Sequence, residues 1–170
     1  MPLADMADLA QNRGCGGRLL GLDVGSKTVG LALADPTWTI ASPLMTLRRG
    51  RFRQDAETLA RLVAEHDVGG LVLGLPVSMD GSEGPRCQSV RQFAANLIAH
   101  IHVPVAFWDE RWSTMAVERM LVREADLSRK RRRQVIDTSA AVYILQGALD
   151  YLAGGAIQAV APTVEPDPGS

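Results

Sequence analysis

Cysteine is scarce: Cys15 and Cys87 are the only two in 170 residues. Two thiols exclude a disulfide scaffold or a four-thiolate zinc site, and they point to a reducing, cytoplasmic setting. Histidine is scarce too, and it offers no zinc-type set, because His100 and His102 flank Ile101 with no third ligand at suitable spacing. No apolar run approaches the roughly 18 residues of a spanning helix, which excludes a transmembrane protein. The stretch Met1 to Gly17 lacks a basic start followed by an apolar block, so it does not read as a secretory signal. Aromatics make up only 5%, and Trp38, Trp108 and Trp112 read as core or rim packing, with Trp112 beside Arg111 a candidate base contact. A net charge of −1 argues against a uniformly basic nucleic-acid binder.

What remains is an ordinary globular composition, 46% hydrophobic with a mean hydropathy of +0.02, and enough chain for one domain with a full core. The positive charge is unevenly spread. Arg129-Lys130-Arg131-Arg132-Arg133 are consecutive, and four arginines lie between Arg48 and Arg53. Either run alone reads as a solvated, flexible loop; two in a near-neutral chain favour a local phosphate-binding surface. All but two of the 18 basic residues are Arg, which suits fork-like recognition of phosphate.

Hydrophobic periodicity predicts one domain over 18–152, between a loose extension at 1–17 and a loose Pro- and Gly-containing tail at 153–170. Arg18 to Val24, Thr28 to Ala34 and Thr37 to Leu47 read as an antiparallel meander, the third strand at an edge because it contains Pro43. A helix follows through Ala56, Leu59, Ala60 and Val63, ended by Gly69-Gly70. Next come a strand Leu71–Leu75, a helix through Val90, Phe93, Ala94 and Leu97, and a strand Val103–Trp108. A helix through Ala116, Val117, Met120 and Leu121 precedes a last one from about Gln134 to Leu152. Strands alternating with helices after a meander predict an α/β domain with a mixed sheet.

Three carboxylates have unusual surroundings. Asp23 follows an apolar strand run, where it reads equally as a turn cap and as a paired or cation-binding group. Glu110, in Asp109-Glu110-Arg111, closes a strand, where an acidic residue is often only a helix-dipole partner. Asp137 lies near the start of a largely apolar helix, on the face of Ala141, Ile144 and Ala148. If the three meet at one sheet edge, their mutual repulsion calls for a divalent cation, and all-oxygen ligation selects Mg²⁺ or Mn²⁺ over zinc. The loop from Gly74 to Arg86 leads into a helix that Ser82 could cap with Pro85 in its first turn; its amides, with Arg86, would suit a phosphate. Gly21 to Thr28 is no Walker loop, since a strand follows where a helix is required. Asp23-Val24-Gly25 in a strand-turn-strand also resembles the first phosphate motif of actin-like ATPases and sugar kinases, but those are built from two such domains, about twice this length.

Taken in order, Gly21-Leu22-Asp23-Val24-Gly25-Ser26-Lys27, Ala41-Ser42-Pro43-Leu44, Gly74-Leu75-Pro76 with Met79-Asp80-Gly81-Ser82-Glu83-Gly84, Asp109-Glu110-Arg111-Trp112-Ser113-Thr114, Arg133 to Asp137 and Ala140-Ala141 to Gln146 resemble the YqgF/RuvX-type family from about Arg18 to Tyr151. That family is described as Holliday junction resolvases or pre-16S rRNA nucleases. The resemblance implies a ribonuclease-H-like fold, a five-stranded mixed sheet in order 3-2-1-4-5 flanked by helices. It also implies two-metal phosphodiester hydrolysis with Mg²⁺ or Mn²⁺. Asp23 would bridge the two cations, with Glu110 and Asp137 each holding one side. Lys27, Ser82, Arg86, Arg111, Arg129, Lys130, Arg131, Arg132 and Arg133 are the candidate nucleic-acid ligands, positioning phosphates without reading sequence. Ser78 and Trp112 depart from the common Asn and Leu of the family pattern.

The expected function is therefore a cytoplasmic nuclease trimming the 5′ end of precursor 16S rRNA, with nucleic acid and pre-ribosomal particles as partners and no membrane. The alternatives are a Holliday junction resolvase acting on DNA and a non-catalytic RNA-binding maturation factor. RNA is favoured because the positive charge is clustered, and because the helices leave no second apolar stripe for the two-fold dimer a resolvase needs.

Overall fold

The computed structural model describes residues 6–11, 17–78, 80–113 and 129–154, with the backbone only at 112–113 and 129–139. Strands β1 (Arg18–Val24), β2 (Thr28–Ala34) and β3 (Ala41–Arg48) form the antiparallel meander. Strands β4 (Val68–Leu75) and β5 (Val105–Asp109) join β1 from its other side, both parallel to it. The order is β3-β2-β1-β4-β5, as expected. Helices α2 (Phe52–Glu65) and α3 (Pro85–Ile98) cover one face of the sheet; α1 (Met6–Gln11) and α4 (Arg129–Leu152) cover the other. A sheet buried on both faces reads as a continuous apolar run, which is why Leu71-Val72-Leu73 lacks alternation. Leu71 and Leu73 enter the core beneath α2 and α3, and Val72 enters the core beneath α4.

Helix α4 lies unusually near the sheet because glycines face it. A Cβ on Gly21 would come within 2.7 Å of the Leu145 Cβ and 3.1 Å of the Ala141 carbonyl oxygen. On the helix itself, a Cβ on Gly147 would lie 3.0 Å from the Trp108 indole. The helix is then fastened sideways to the edge strand. Gln146 accepts from the Ala41 amide (2.9 Å) and donates to the Thr39 carbonyl (2.9 Å).

Several boundaries differ from expectation, each for a physical reason. Gly69-Gly70 do not end a helix. α2 stops at Glu65, Asp67 takes a φ of 53°, and both glycines lie inside β4. A Cβ on Gly17 would come within 2.8 Å of the Gly69 backbone, and one on Gly70 would meet the Leu9 and Leu19 side chains at 2.9 Å. β3 starts at Ala41 rather than Thr37, because the Asp35 carboxylate accepts from the Thr39 and Ile40 amides (2.7 and 2.8 Å) and folds 35–40 into a turn. Trp38 sits there at a φ of 58°, its indole N–H bonded to the Gly17 carbonyl (2.9 Å). β5 runs from Val105 to Asp109, two residues later in start than expected. α4 begins at Arg129, so the five-residue basic run occupies helical turns and not a loop. The loose extension at 1–17 contains a helix, α1, whose Leu9 is fully buried; such burial contributes about 2 kcal/mol. The helix expected through Ala116 to Leu121 lies outside the described residues.

Candidate active site

Strands β1, β4 and β5 are parallel, so their carboxyl ends share one edge, the place where open α/β sheets bind ligands. Asp23 is the penultimate residue of β1, and Glu110 opens the 3₁₀ turn Glu110–Ser113 directly after β5. Gly74 of β4 lies between them. Leu22 pairs with Leu73 and Gly74 with Trp108, so the three positions follow one another across the sheet. Strand alternation puts Asp23 on the same face as Leu19 and Gly21, the face that α4 covers. A Cβ on Gly74 would lie 2.5 Å from Glu110 Oε1 and closer still to the Ile144 side chain. The missing side chain is what lets the Glu110 carboxylate lie across β4 towards β1.

The electrostatics follow from that placement. Burial pushes the Glu110 carboxyl up to about 7, and the Asp23 charge pushes in the same direction; Arg86 opposes them and Asp109 adds a little. A pair of carboxylates held together in a half-buried site disfavours double ionisation unless a cation joins them. Asp109, one residue away, has a different fate. Arg111 donates from Nε and Nη2 to its Oδ2 (2.9 and 2.5 Å), and the Arg111 amide donates to Oδ1 (2.9 Å). The sequence presents two adjacent acids; the fold commits one to an arginine and leaves the other over Gly74.

Asp137 lies in α4, one helical turn before Ala141. Its side chain, like those of Arg129, Lys130, Arg131, Arg132 and Arg133, lies outside the described residues. Among the described residues, no group of three His, Cys, Asp or Glu side chains forms a metal cluster.

The loop before α3 is internally bonded. Asp80 accepts from the Ser82 amide and hydroxyl (2.9 and 2.6 Å), and the Ser78 amide donates to the Ser82 carbonyl (2.9 Å). Ser82 is therefore not the helix cap: Gly84 holds that position, with Pro85 following it as expected. Arg86, exposed in the first turn of α3, is near enough to act on Glu110. Arg111 reaches this loop too, its Nη1 lying 3.8 Å from where a Gly81 Cβ would be. Lys27 is exposed in the β1–β2 turn, and the two tryptophans with described side chains, Trp38 and Trp108, are buried. Residue-level reading missed the part played by Gly74. A lone glycine inside a strand was the available signal, since it marks a close approach.

A family model described as "RuvX: Holliday junction resolvase" matches residues 17–151. A protein of Paramagnetospirillum magneticum named "Putative pre-16S rRNA nuclease" is 60% identical over 154 residues, spanning 91% of this chain and 99% of its own length. One of the same name from Rhodospirillum centenum is 52% identical over 160 residues, spanning 91% and 85%. Among solved structures, T. thermophilus RuvC in complex with a Holliday junction substrate superposes with a TM-score of 0.56 at 13% identity, covering 81% of this chain and 97% of its own. That likeness shows the fold, a RuvC-like ribonuclease-H arrangement.

Proposed function

The chain belongs to the RuvX family, and on that premise we propose that it is a divalent-metal-dependent nuclease that processes the 5′ end of precursor 16S rRNA in the cytoplasm, on pre-ribosomal particles. One observation carries the reading: at the carboxyl edge of the sheet the Glu110 carboxylate lies over Gly74, beside the end of β1 that carries Asp23, and burial and the Asp23 charge push its carboxyl up to about 7. A pure RNA-binding factor gains nothing from carboxylates facing a polyanion. The relatives named for pre-16S rRNA support the choice of RNA. No helix among the described residues is long and apolar enough to cross a membrane.

The donors fit a hard cation. They are carboxylate oxygens whose mutual repulsion a cation relieves, a chemistry that suits Mg²⁺ or Mn²⁺. Asp23 and Glu110 would hold it, with Asp137 from α4 as the third acid. When bound, the divalent cation supplies Lewis acidity towards the phosphodiester and its attacking water. The chain's own residues do the rest. Arg86, opposite Glu110, orients a substrate phosphate at the amino end of α3. Asp109 holds Arg111, whose charge acts on Asp80 in the loop before α3. Lys27 and the Arg129–Arg133 run guide the backbone of the nucleic acid towards the edge.

The test offers purified protein a 5′-extended 16S precursor and a four-way DNA junction side by side, with Mg²⁺ or Mn²⁺. Shortening of the precursor is expected. Asp23→Asn, Glu110→Gln and Asp137→Asn should each abolish it while leaving fold and RNA affinity nearly unchanged, and Asp109→Asn should cost less. The family description and the shared fold make junction resolution the second reading. Symmetric nicking of junctions by a stable dimer, with the precursor left intact, would establish it in place of the first.

A further inference from the structure

The arginines between Arg48 and Arg53 look alike in sequence, but the fold separates them. Arg48 and Arg51 are exposed, and Arg53 is exposed beside Glu57 at 3.6 Å. Arg49 turns inward. Its amide donates to the Lys27 carbonyl (2.8 Å) and its Nη1 donates to the Gly25 carbonyl (2.6 Å), so one residue satisfies two carbonyls of the β1–β2 turn. The guanidinium carbon lies 5.2 Å from the centroid of the Phe93 ring, and Phe52 packs edge-on against that ring at 5.5 Å. A planar cation can stack on a ring and still present an N–H edge to a carbonyl; an ammonium does only one of these well. The backbone after Arg49 is held as well, because the Gly50 amide donates to both oxygens of the buried Asp55 carboxylate (3.2 and 3.1 Å).

We propose that Arg49 is a positioning residue of the active site. By bracing the Gly25 carbonyl against Phe93 of α3, it fixes the turn that follows Asp23 and sets that carboxylate relative to the helix carrying Arg86; it does not bind phosphate. Gly25 is two residues beyond Asp23, and the turn between Gly25 and Thr28 has one backbone bond of its own, from the Gly25 amide to the Thr28 carbonyl (2.8 Å). The guanidinium is the added tie. Its link to catalysis rests on the nuclease reading, whereas its link to the turn does not.

The experiment therefore has two arms, using Arg49→Met, which keeps the stem, and Arg49→Lys, which keeps the charge. In metal-free protein, Arg49→Met should speed amide exchange at Gly25 and residue 49 roughly ten- to a hundred-fold, the range for losing one hydrogen bond to a charged group. Arg49→Lys should fall between it and wild type. In the second arm, Arg49→Met should lower kcat about ten-fold or more with KM within about two-fold, as for a displaced reacting group. The logarithmic salt slope of RNA binding should stay unchanged. Unaltered exchange in Arg49→Met overturns the proposal. So does a salt slope shallower by about 0.7, the loss of one single-strand phosphate contact. If wild type cleaves no substrate, the nuclease reading fails and exchange alone decides the role of Arg49. If Arg49→Met does not fold, the Lys variant carries both arms, and wild-type behaviour in each overturns the proposal.

Discussion

Adding a single methyl group at Gly74 should damage activity far more than stability. In Gly74→Ala the new Cβ would stand 2.5 Å from Glu110 Oε1 and 2.8 Å from Ile144 Cγ1. An ordinary contact begins near 3.4 Å, so the carboxylate has to move off β4 by about 1 Å, a distance that can cost on the order of a hundred-fold in rate. Overpacking costs about 1–3 kcal/mol, partly offset by the roughly 0.4–1 kcal/mol that Gly→Ala gains through the unfolded chain. At about 2–4 °C per kcal/mol for a chain of this size, the melting temperature should fall by no more than about 10 °C. Ile144→Val in the same background removes the nearer methyl and should recover part of the stability but not the rate. Gly50→Ala is the control, because its Cβ meets nothing closer than 3.9 Å. Urea denaturation and single-turnover cleavage of the precursor measure the two effects. Wild-type cleavage by Gly74→Ala would refute the placement of Glu110 over β4.

Neutralising Arg129 to Arg133 should weaken binding to all nucleic acids alike and flatten the salt dependence by about 0.7 per lost single-strand contact; an unchanged slope would leave the run as a solvated helix start. Gln146→Glu keeps the acceptor for Ala41 but sets a carboxylate against the Thr39 carbonyl and Asp150. It should cost about 1–2 kcal/mol at neutral pH, read by urea denaturation, and recover as the new acid protonates. Asp35 is held well below the usual carboxylate range by its bonds from the Ile40 amide, the Thr37 hydroxyl and the Thr39 amide. A depressed value means that its contribution is complete above the ordinary 3.8 and is lost as pH falls through the folded value. The stability difference between wild type and Asp35→Asn, followed by denaturation against pH, should thus be flat above about pH 5 and shrink in acid.

What the sequence disclosed depended on how local each cause was. β1 and β2 were legible to the residue because their apolar runs are bounded by turn residues within the same few positions. Asp23 stood out because a carboxylate in such a run needs a reason. Asp109 and Glu110 could not be separated on residue type, since their difference lies in Arg111 and in a gap on a neighbouring strand. Gly69-Gly70 misled for a similar reason: what they accommodate, Gly17, Leu9 and Leu19, comes from distant parts of the chain. The start of α4 was hidden by basic residues that carry no apolar period. Arg49 looked like Arg48 and Arg51 because its partner is a ring on another helix.

The two faces of the sheet are completed at different times as the chain is made. The core beneath α2 and α3 draws on residues from Leu20 to Val105, so it can close as soon as β5 has emerged. The core on the opposite face joins Leu9 and Leu19 to Ala141, Ile144, Leu145, Ala148 and Leu149, which follow all five strands in the chain. Until then Val72, Ala106 and Trp108 lack their cover, and pairings this distant are slow to form. Asp23 lies on that late face. Helix α4 thus brings both the missing packing and the Asp137 position in one step. On the proposed reading of Asp137 as the third acid, cleavage would wait on the docking of α4 and not on the sheet.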